Sequence, residues 1–350
     1  MSKINVRFAP SPTGYLHIGG ARTAIVNYLF AKKNNGKFFV RIEDTDIGRS
    51  EKKYTDSILD SLKWLNIKYD GECIIQSKQL SRHKEVINKL INDGMAYYCD
   101  CTQETINKKR IYCEENKIPY RYDRTCANKK IESKNDNIVI RINTTKTLEG
   151  NNITINDLIK EKVSVNHTDI DDFIIIRSDN TPIYLLSVVV DDHDMDITHI
   201  IRGDDHLTNT FRQYIIYKAR GFKIPQFAHI PLIFGDDGKK LSKRHGAVCV
   251  TDFKEQGYLP ESIINYLSLL GMPNNKIIIS EQEVIKILKL DKISKSPSQF
   301  DYNILNKINN HYIKKTDNMI LYNLLGYNIT SILLLLNGIN EMNTRAKNFN

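Results

Sequence analysis

Arg7-Phe8-Ala9-Pro10-Ser11-Pro12-Thr13-Gly14-Tyr15-Leu16-His17-Ile18-Gly19-Gly20 decides how this chain is read. A short apolar segment runs into a Pro/Gly turn. The turn opens a helix carrying His and paired Gly at its start. Ala21, Ala24, Ile25, Tyr28 and Leu29 then repeat with helical spacing. A strand that feeds a helix N-terminus through such a turn is a phosphate-binding device. Free backbone N–H groups and the positive end of the helix dipole face the anion. Neither G-x-G-x-x-G nor G-x-x-x-x-G-K-[ST] is present in the stretch. His17-Ile18-Gly19-Gly20 therefore predicts phosphate contact without a P-loop lysine.

Working outward, a second apolar run at Phe38–Glu43 follows the helix at Ala21–Lys32, so Ile4–Glu43 reads as a βαβ unit with a parallel sheet. Tyr54, Ile58, Leu62 and Leu65 mark one further helix, and Gln79–Asn92 another, stopped by Gly94. After Cys99 the character changes: to about Ser164 the chain is polar, short-stranded and rich in Lys, Asn and Thr. Strand-like runs resume at Asp172–Arg177 and Thr198–Arg202, with apolar Tyr184–Val190 between them. A helix at Leu207–Arg220 and the run Phe227–Phe234 follow, and from Asp252 the pattern is helical.

A second cluster stands far downstream at Lys240-Leu241-Ser242-Lys243-Arg244, three cations in five residues after the turn Gly235-Asp236-Asp237-Gly238. The two clusters together resemble the "HIGH" and "KMSKS" signatures of class I aminoacyl-tRNA synthetases. Arg7–Gly20, Arg41–Asp46, Ile201–His206 and Lys239–Ala247, in that order, are similar to glutamyl-tRNA synthetases. The resemblance runs from about Lys3 to Tyr312. It implies an α/β fold: a Rossmann-type parallel-sheet catalytic domain at 1–98 and 165–251, split by an inserted zinc and acceptor-stem-binding domain at 99–164. A helical region at 252–350 follows, containing a stem-contact part and the start of an anticodon-binding domain. The end at Asn350 reads like the middle of a helix, so a truncated product or fragment is expected.

The resemblance also implies chemistry. ATP and the glutamate carboxylate form glutamyl-adenylate, and the glutamyl group then passes to the 3' end of tRNA(Glu). Charge builds on the phosphoryl oxygens and on leaving pyrophosphate, so positioning and electrostatic stabilisation suffice. His17, Lys243 and Lys240 are the expected catalytic residues. ATP is expected at His17, Gly19, Gly20, Asp205, His206 and Lys243, with Mg2+. Glutamate has two carboxylates and needs cations; an Arg can grip one bidentately. Arg7 and Arg202 are the candidates, Arg202 for the side-chain carboxylate. Glu43 is expected on the α-amino group, with Tyr184, Ser11 and Ala9 lining the pocket. Val188 stands where some relatives have Asn, so no contact is carried over there.

Four of the six cysteines lie within one short region, Cys99, Cys101, Cys113 and Cys126. Cys99-x-Cys101 with Cys126 fits a structural zinc site short of one ligand. Tyr122-x-x-x-Cys126 resembles the tyrosine ligand of related glutamylating proteins, and Asn128 stands where some relatives have His. Cys113 competes for the fourth position, because thiolate is the better zinc ligand.

Bulk properties are permissive. The chain carries 50 basic and 41 acidic residues, a net +9, which suits an anionic partner such as tRNA. The Ile, Lys and Asn bias of an AT-rich gene would give the same excess. No basic segment followed by an apolar run opens the chain, so a cytoplasmic protein without membrane contact is expected; a monomer is expected as well. Asn318–Asn340 carries no charge, but polar residues interrupt it, and two short helices are expected rather than a span. The competing functions are a shorter paralogue that glutamylates a modified base of tRNA(Asp), a silent tRNA-binding remnant, and a small-molecule nucleotidyltransferase.

Overall fold

The computed structural model describes residues 3–46, 48–131, 138–242, 245–246 and 248–317. Lys243, and the uncharged stretch at 318–340, lie outside the described residues.

The opening stretch forms β1 (Asn5–Phe8), α1 (Ile18–Lys33) and β2 (Lys37–Ile42). β1 pairs parallel with β2, from Asn5 opposite Lys37 to Phe8 opposite Val40. α2 (Lys52–Trp64) leads to β3 (Ile74–Ile75), which adds to β2, and α3 (Leu80–Asn92) follows. Gly94 ends α3 at φ +66°, a conformation that favours glycine.

The polar middle contains β4 (Ala96–Cys99), α4 (Gln103–Glu115), β5 (Val139–Ile142), α5 (Thr144–Leu148), β6 (Ile153–Asp157), β7 (Glu161–Val165) and β8 (Ile174–Ile176). β4, β5 and β8 make a small antiparallel sheet. α4 departs from the short-stranded expectation. It is polar on nearly all sides, so periodicity is silent. Its start is set by Thr102, whose side chain accepts from the Thr105 N–H.

The chain then returns through α6 (Tyr184–Asp194), β9 (His199–Gly203), α7 (Leu207–Arg220), β10 (Gln226–Ile230) and β11 (Ile233–Phe234). β9 and β10 pair parallel, with Arg202 opposite His229. On the far side of β10, Phe227 stands opposite Asp157 of β6, and the Leu158 N–H donates to the Phe227 carbonyl at 2.8 Å. The β6–β7 hairpin, placed by composition with the polar middle, is therefore an extension of the β9–β10 sheet. β1 lies beside β9, where the Thr198 N–H donates to the Asn5 carbonyl at 2.9 Å. The strands thus run β3-β2-β1-β9-β10-β6-β7. The order reverses between β1 and β9. In such open sheets, ligands bind at the carboxyl ends of the strands at that switch point.

The C-terminal part comprises α8 (Val250–Glu255), α9 (Pro260–Leu269), α10 (Glu281–Ile287), β12 (Ser298–Gln299) and α11 (Tyr302–Lys315). β12 interrupts the expected all-helical run by pairing with β11. One buried cluster packs α1, through Ile18, Ile25 and Leu29, against these helices; the other packs α3, α6 and α7 through Val86, Val189 and Ile215. Among the described residues, no helix is long and apolar enough to cross a membrane.

Candidate active site

A cleft of about 480 Å³ opens at the switch point. Arg7, Ala9, Ser11, His17, Gly19, Gly20, Glu43, Tyr184, Arg202, Asp205, His206 and Lys240 all line it. Residues up to 233 positions apart in sequence thus share one cavity, because β1 and β9 end beside each other.

His17 caps α1: its Nδ1 accepts from the Gly19 N–H at 3.1 Å. That leaves Nε2 to carry the proton of the neutral ring. Burial pushes its pKa below the ordinary value, the hydrogen bond with the Leu241 backbone opposes this, and Lys240 pushes it further down. Gly20 sits where a Cβ would come within 3.0 Å of the Leu16 side chain, so glycine leaves room for Leu16 against the helix start. The two sequence clusters meet here. The Ile18 N–H donates to the Val248 carbonyl at 2.7 Å, and the Val250 N–H to the Leu16 carbonyl at 2.9 Å. Lys240 Nζ stands 4.0 Å from Asp205 Oδ2, both well exposed.

On the β1–β2 wall the charges are paired. Arg7 holds Asp192 bidentately, at 3.0 and 3.1 Å. Arg41 reaches Asp192 Oδ1 at 2.7 Å and Glu43 Oε1 at 2.9 Å. Asp191 accepts from Gln76 Nε2 at 2.7 Å and meets His83 Nε2 at 2.7 Å. Asp191 and Asp192 sit near the C-terminus of α6, where the helix dipole disfavours carboxylates, so the arginines are needed. Burial would raise the Asp192 pKa, but Arg41 and Arg7 outweigh it and hold the group below its ordinary value. Burial wins at Glu43, which is raised despite Arg41.

The β9 wall differs. Arg202 is buried, yet its partners are neutral: Nη2 donates to Thr210 Oγ1 at 2.7 Å and Gln213 Oε1 at 2.8 Å, and Nε donates to His229 Nε2 at 3.2 Å. Its Nη1 has no hydrogen-bond partner. Nearby, His206 Nδ1 lies 3.2 Å from the Tyr184 hydroxyl. Burial first, then Arg202, push His206 down to about 4, while burial pushes Tyr184 up to about 12. The contact is therefore one between a neutral ring and a neutral phenol.

Sequence reasoning gave no role to Arg41, Asp191, Asp192, His229 or Asp157. One signal was available: Asp191-Asp192 ends an otherwise apolar helical run, and carboxylates there need cations.

In the polar middle the Sγ atoms of Cys99, Cys101 and Cys126 lie within 4.8 Å of one another. The Tyr122 hydroxyl is 3.3 Å from the Cys99 sulfur and 3.7 Å from that of Cys101. Cys113, on α4, is not in this group. Burial opposes ionisation of Cys99, but Tyr122 and Arg141 hold its thiol below the ordinary value.

A cleft at the switch point of a parallel sheet, with a capped helix start on one side and buried arginines behind it, defines a nucleotide-dependent enzyme of the class I synthetase type. The family described as tRNA synthetases class I (E and Q), catalytic domain, matches residues 3–307, and the chain belongs to that family. It is 48% identical over 360 residues to "Glutamate--tRNA ligase 2" of Ehrlichia ruminantium (strain Gardel), covering 99% of this chain and 76% of that protein. It is also 48% identical over 315 residues to "Glutamate--tRNA ligase" of Francisella tularensis subsp. tularensis, covering 89% and 67%. Among solved structures, the glutamate-tRNA synthetase from Elizabethkingia anophelis superposes with a TM-score of 0.88 at 31% identity, over 99% of this chain and 79% of that one.

Proposed function

We propose that this chain is a glutamate–tRNA ligase. It activates L-glutamate with ATP to glutamyl-adenylate, releasing pyrophosphate, and transfers the glutamyl group to the 3' end of tRNA(Glu). The observation that carries the substrate is Arg202: a buried guanidinium with neutral partners and an unpaired Nη1 in the cleft wall calls for an incoming anion. The glutamate side-chain carboxylate meets that need. Arg7 has its fork committed to Asp192, so it contributes field and shape more than a bidentate grip. Glu43 takes the α-ammonium, with Tyr184, Ser11 and Ala9 around it. The helix start at His17, Gly19 and Gly20 receives the phosphates, His17 donating from Nε2. Lys240 and Lys243 oppose the charge that builds on the leaving pyrophosphate, and Asp205 and His206 hold the adenosine. Mg2+ is expected to arrive with the ATP phosphates rather than in a dedicated protein cage.

Zinc fits the group of three sulfurs with a phenol in reach, a set of soft donors suited to a tetrahedral structural site. Cys99, Cys101 and Cys126 would hold it, with Tyr122 ahead of Cys113 as fourth ligand. The bound ion would tie the small β4–β5–β8 sheet to its loops. We divide the chain into a catalytic domain at 1–98 and 165–251, an inserted domain at 99–164 contacting the acceptor end, and a helical region at 252–350. The β6–β7 pairing argues for moving the second boundary to before β6. A cytoplasmic monomer is the proposed working form.

Glutamyl-tRNA formation tests the whole. Arg202→Lys should raise the KM for glutamate well above any change in the KM for ATP, and equal changes would make the residue structural. Losing one charge-stabilising donor typically costs ~10²–10³ in rate, so Lys243→Ala should fall by that order. Near-normal turnover would remove Lys243 from the site. Transfer to a base of tRNA(Asp) instead of to a tRNA 3' end would favour the shorter-paralogue reading. Metal analysis of the purified chain should find one zinc, lost in Cys126→Ser and retained in Cys113→Ser.

A further inference from the structure

Three adjacent strands line up three side chains. Asp157 on β6, His229 on β10 and Arg202 on β9 follow one another across the sheet, with His229 in direct register with Arg202. All three are buried. Asp157 Oδ2 lies 2.6 Å from His229 Nδ1, and His229 Nε2 lies 3.2 Å from Arg202 Nε. We propose that Asp157 and His229 are positioning residues for Arg202, and through it set the affinity and selectivity for the substrate's side-chain carboxylate. The proposal rests on Arg202 being the group that receives that carboxylate.

The reasoning follows from donors and acceptors. A carboxylate only accepts, so Asp157 obliges Nδ1 of His229 to carry the proton. Nε2 is then a lone pair, and it faces the Arg202 Nε–H and the Thr210 hydroxyl, the latter at 3.0 Å. With the other tautomer, an N–H would point at a guanidinium that can only donate. Asp157 therefore fixes the ring in the one state that can hold Arg202.

The intervening ring also bears on the charge. A buried guanidinium needs an anion, but a carboxylate placed directly on the fork would meet that need without the substrate. At Arg7 a carboxylate, Asp192, fills Nε and Nη2 and satisfies the charge, whereas at Arg202 the same two positions go to neutral groups. At Arg202 the carboxylate stands one ring away, so it orients the arginine without neutralising it, and Nη1 stays unpaired. The base of the chain is rigid as well. Asp157 Oδ1 accepts from the N–H groups of Ile159 at 2.9 Å, Lys160 at 2.8 Å and His229 at 3.2 Å. Rigidity of this kind keeps a binding group within a fraction of an ångström of its working position.

Dissociation constants for L-glutamate and for ATP, measured by titration calorimetry, test the proposal on the full chain. His229→Leu should weaken glutamate about tenfold or more, the effect of losing a hydrogen bond to a charged group, with ATP within about twofold. His229→Gln, which returns an amide oxygen near the Nε2 position, should recover most of the loss. Asp157→Asn keeps the Oδ1 turn contacts but lets the ring take the other tautomer, and should weaken glutamate several-fold. Equal weakening of both ligands, or a Gln variant no better than Leu, overturns the proposal. If His229→Leu does not fold, Asp157→Asn decides: an unchanged glutamate constant overturns it. Arg202→Lys separates the two levels. If Arg202→Lys leaves glutamate binding untouched, the carboxylate reading itself falls. If it weakens glutamate selectively while the His229 and Asp157 variants do not, only the positioning chain falls.

Discussion

The two walls of the cleft handle buried arginine in opposite ways. On the β1–β2 wall, Arg7 and Arg41 share Asp192, and Glu43 and Asp191 complete a network whose charges meet at 2.7 to 3.7 Å. On the β9 wall, the hydrogen-bond partners of Arg202 are neutral, and one of them, His229, is held in turn by Asp157. Burial favours Arg202 losing its charge, and its pKa is lowered, whereas Arg41 is raised because Asp192, Glu43 and Asp191 outweigh its burial. The first wall carries its own counter-charges; the second is short of an anion. The same residue type is thus scaffold in one place and, in the reading proposed above, receptor in the other, according to where its counter-charge sits.

The largest expected effect lies on the paired wall. Asp192→Ala strands the buried Arg7 and takes one of three carboxylates from Arg41, and removing one partner of a buried pair costs about 3–5 kcal/mol. Urea unfolding at constant m-value should register that loss. A loss below about 1 kcal/mol would mean that water or a neighbour compensates, and the contrast between the walls would dissolve. The deficit should also depend on pH. The folded Asp192 pKa is depressed below 3.8, so its contribution is present above that value and fades as pH falls through the folded pKa.

What could be read from sequence follows this division between local and distant. The α1 start was legible because the cap and its glycines are consecutive, and α7 because an amphipathic run ends at Gly221, φ +65°. The cleft members were legible as motifs. The grouping of Cys99, Cys101 and Cys126 was legible from spacing, but that Cys113 stands apart from it needed the course of α4. By contrast, Arg7 and Asp192 are 185 positions apart, and neither residue alone announces the other. The β6–β7 hairpin was placed by its polarity, which reports exposure of its outer side chains. Its membership in the main sheet depends on backbone pairing with β10, which composition does not encode.

A middle-sized effect should come from His206, beside the receptor wall. The folded ring is pushed to about 4, while the unfolded ring titrates near 6.5. Between those values the unfolded state binds a proton that the folded state refuses, so stability falls as pH falls from 6.5 toward 4. His206→Asn should flatten that slope by roughly 1–3 kcal/mol across the window, read as the difference between the two proteins in urea unfolding at pH 7.5 and pH 4.5. His17 and His229 are lowered too and act in the same direction, so the difference, not the absolute slope, isolates His206. Parallel slopes would mean that the folded ring titrates near its ordinary value, and that burial beside Arg202 does not hold it neutral.

The smallest stability effect is expected where the functional effect is large. Arg202→Met replaces a buried cation lacking a carboxylate with an apolar side chain of similar length. Replacing buried charge by well-packed apolar groups is often neutral or stabilising. Thr210, Gln213 and His229 would each lose a partner, which offsets part of the gain. The net change should stay within about 1 kcal/mol of zero in urea unfolding, against the several kcal/mol of Asp192→Ala. Glutamate binding should nonetheless be lost. Arg202 is also a cause of the lowered His206 pKa, after burial, so the variant should let His206 move back part of the way toward 6.5, visible in an NMR titration of the ring. A destabilisation as large as that of Asp192→Ala would show that Arg202 is held as firmly as Arg7. The β9 wall would then be scaffold, and the side-chain carboxylate would have to be received elsewhere in the cleft.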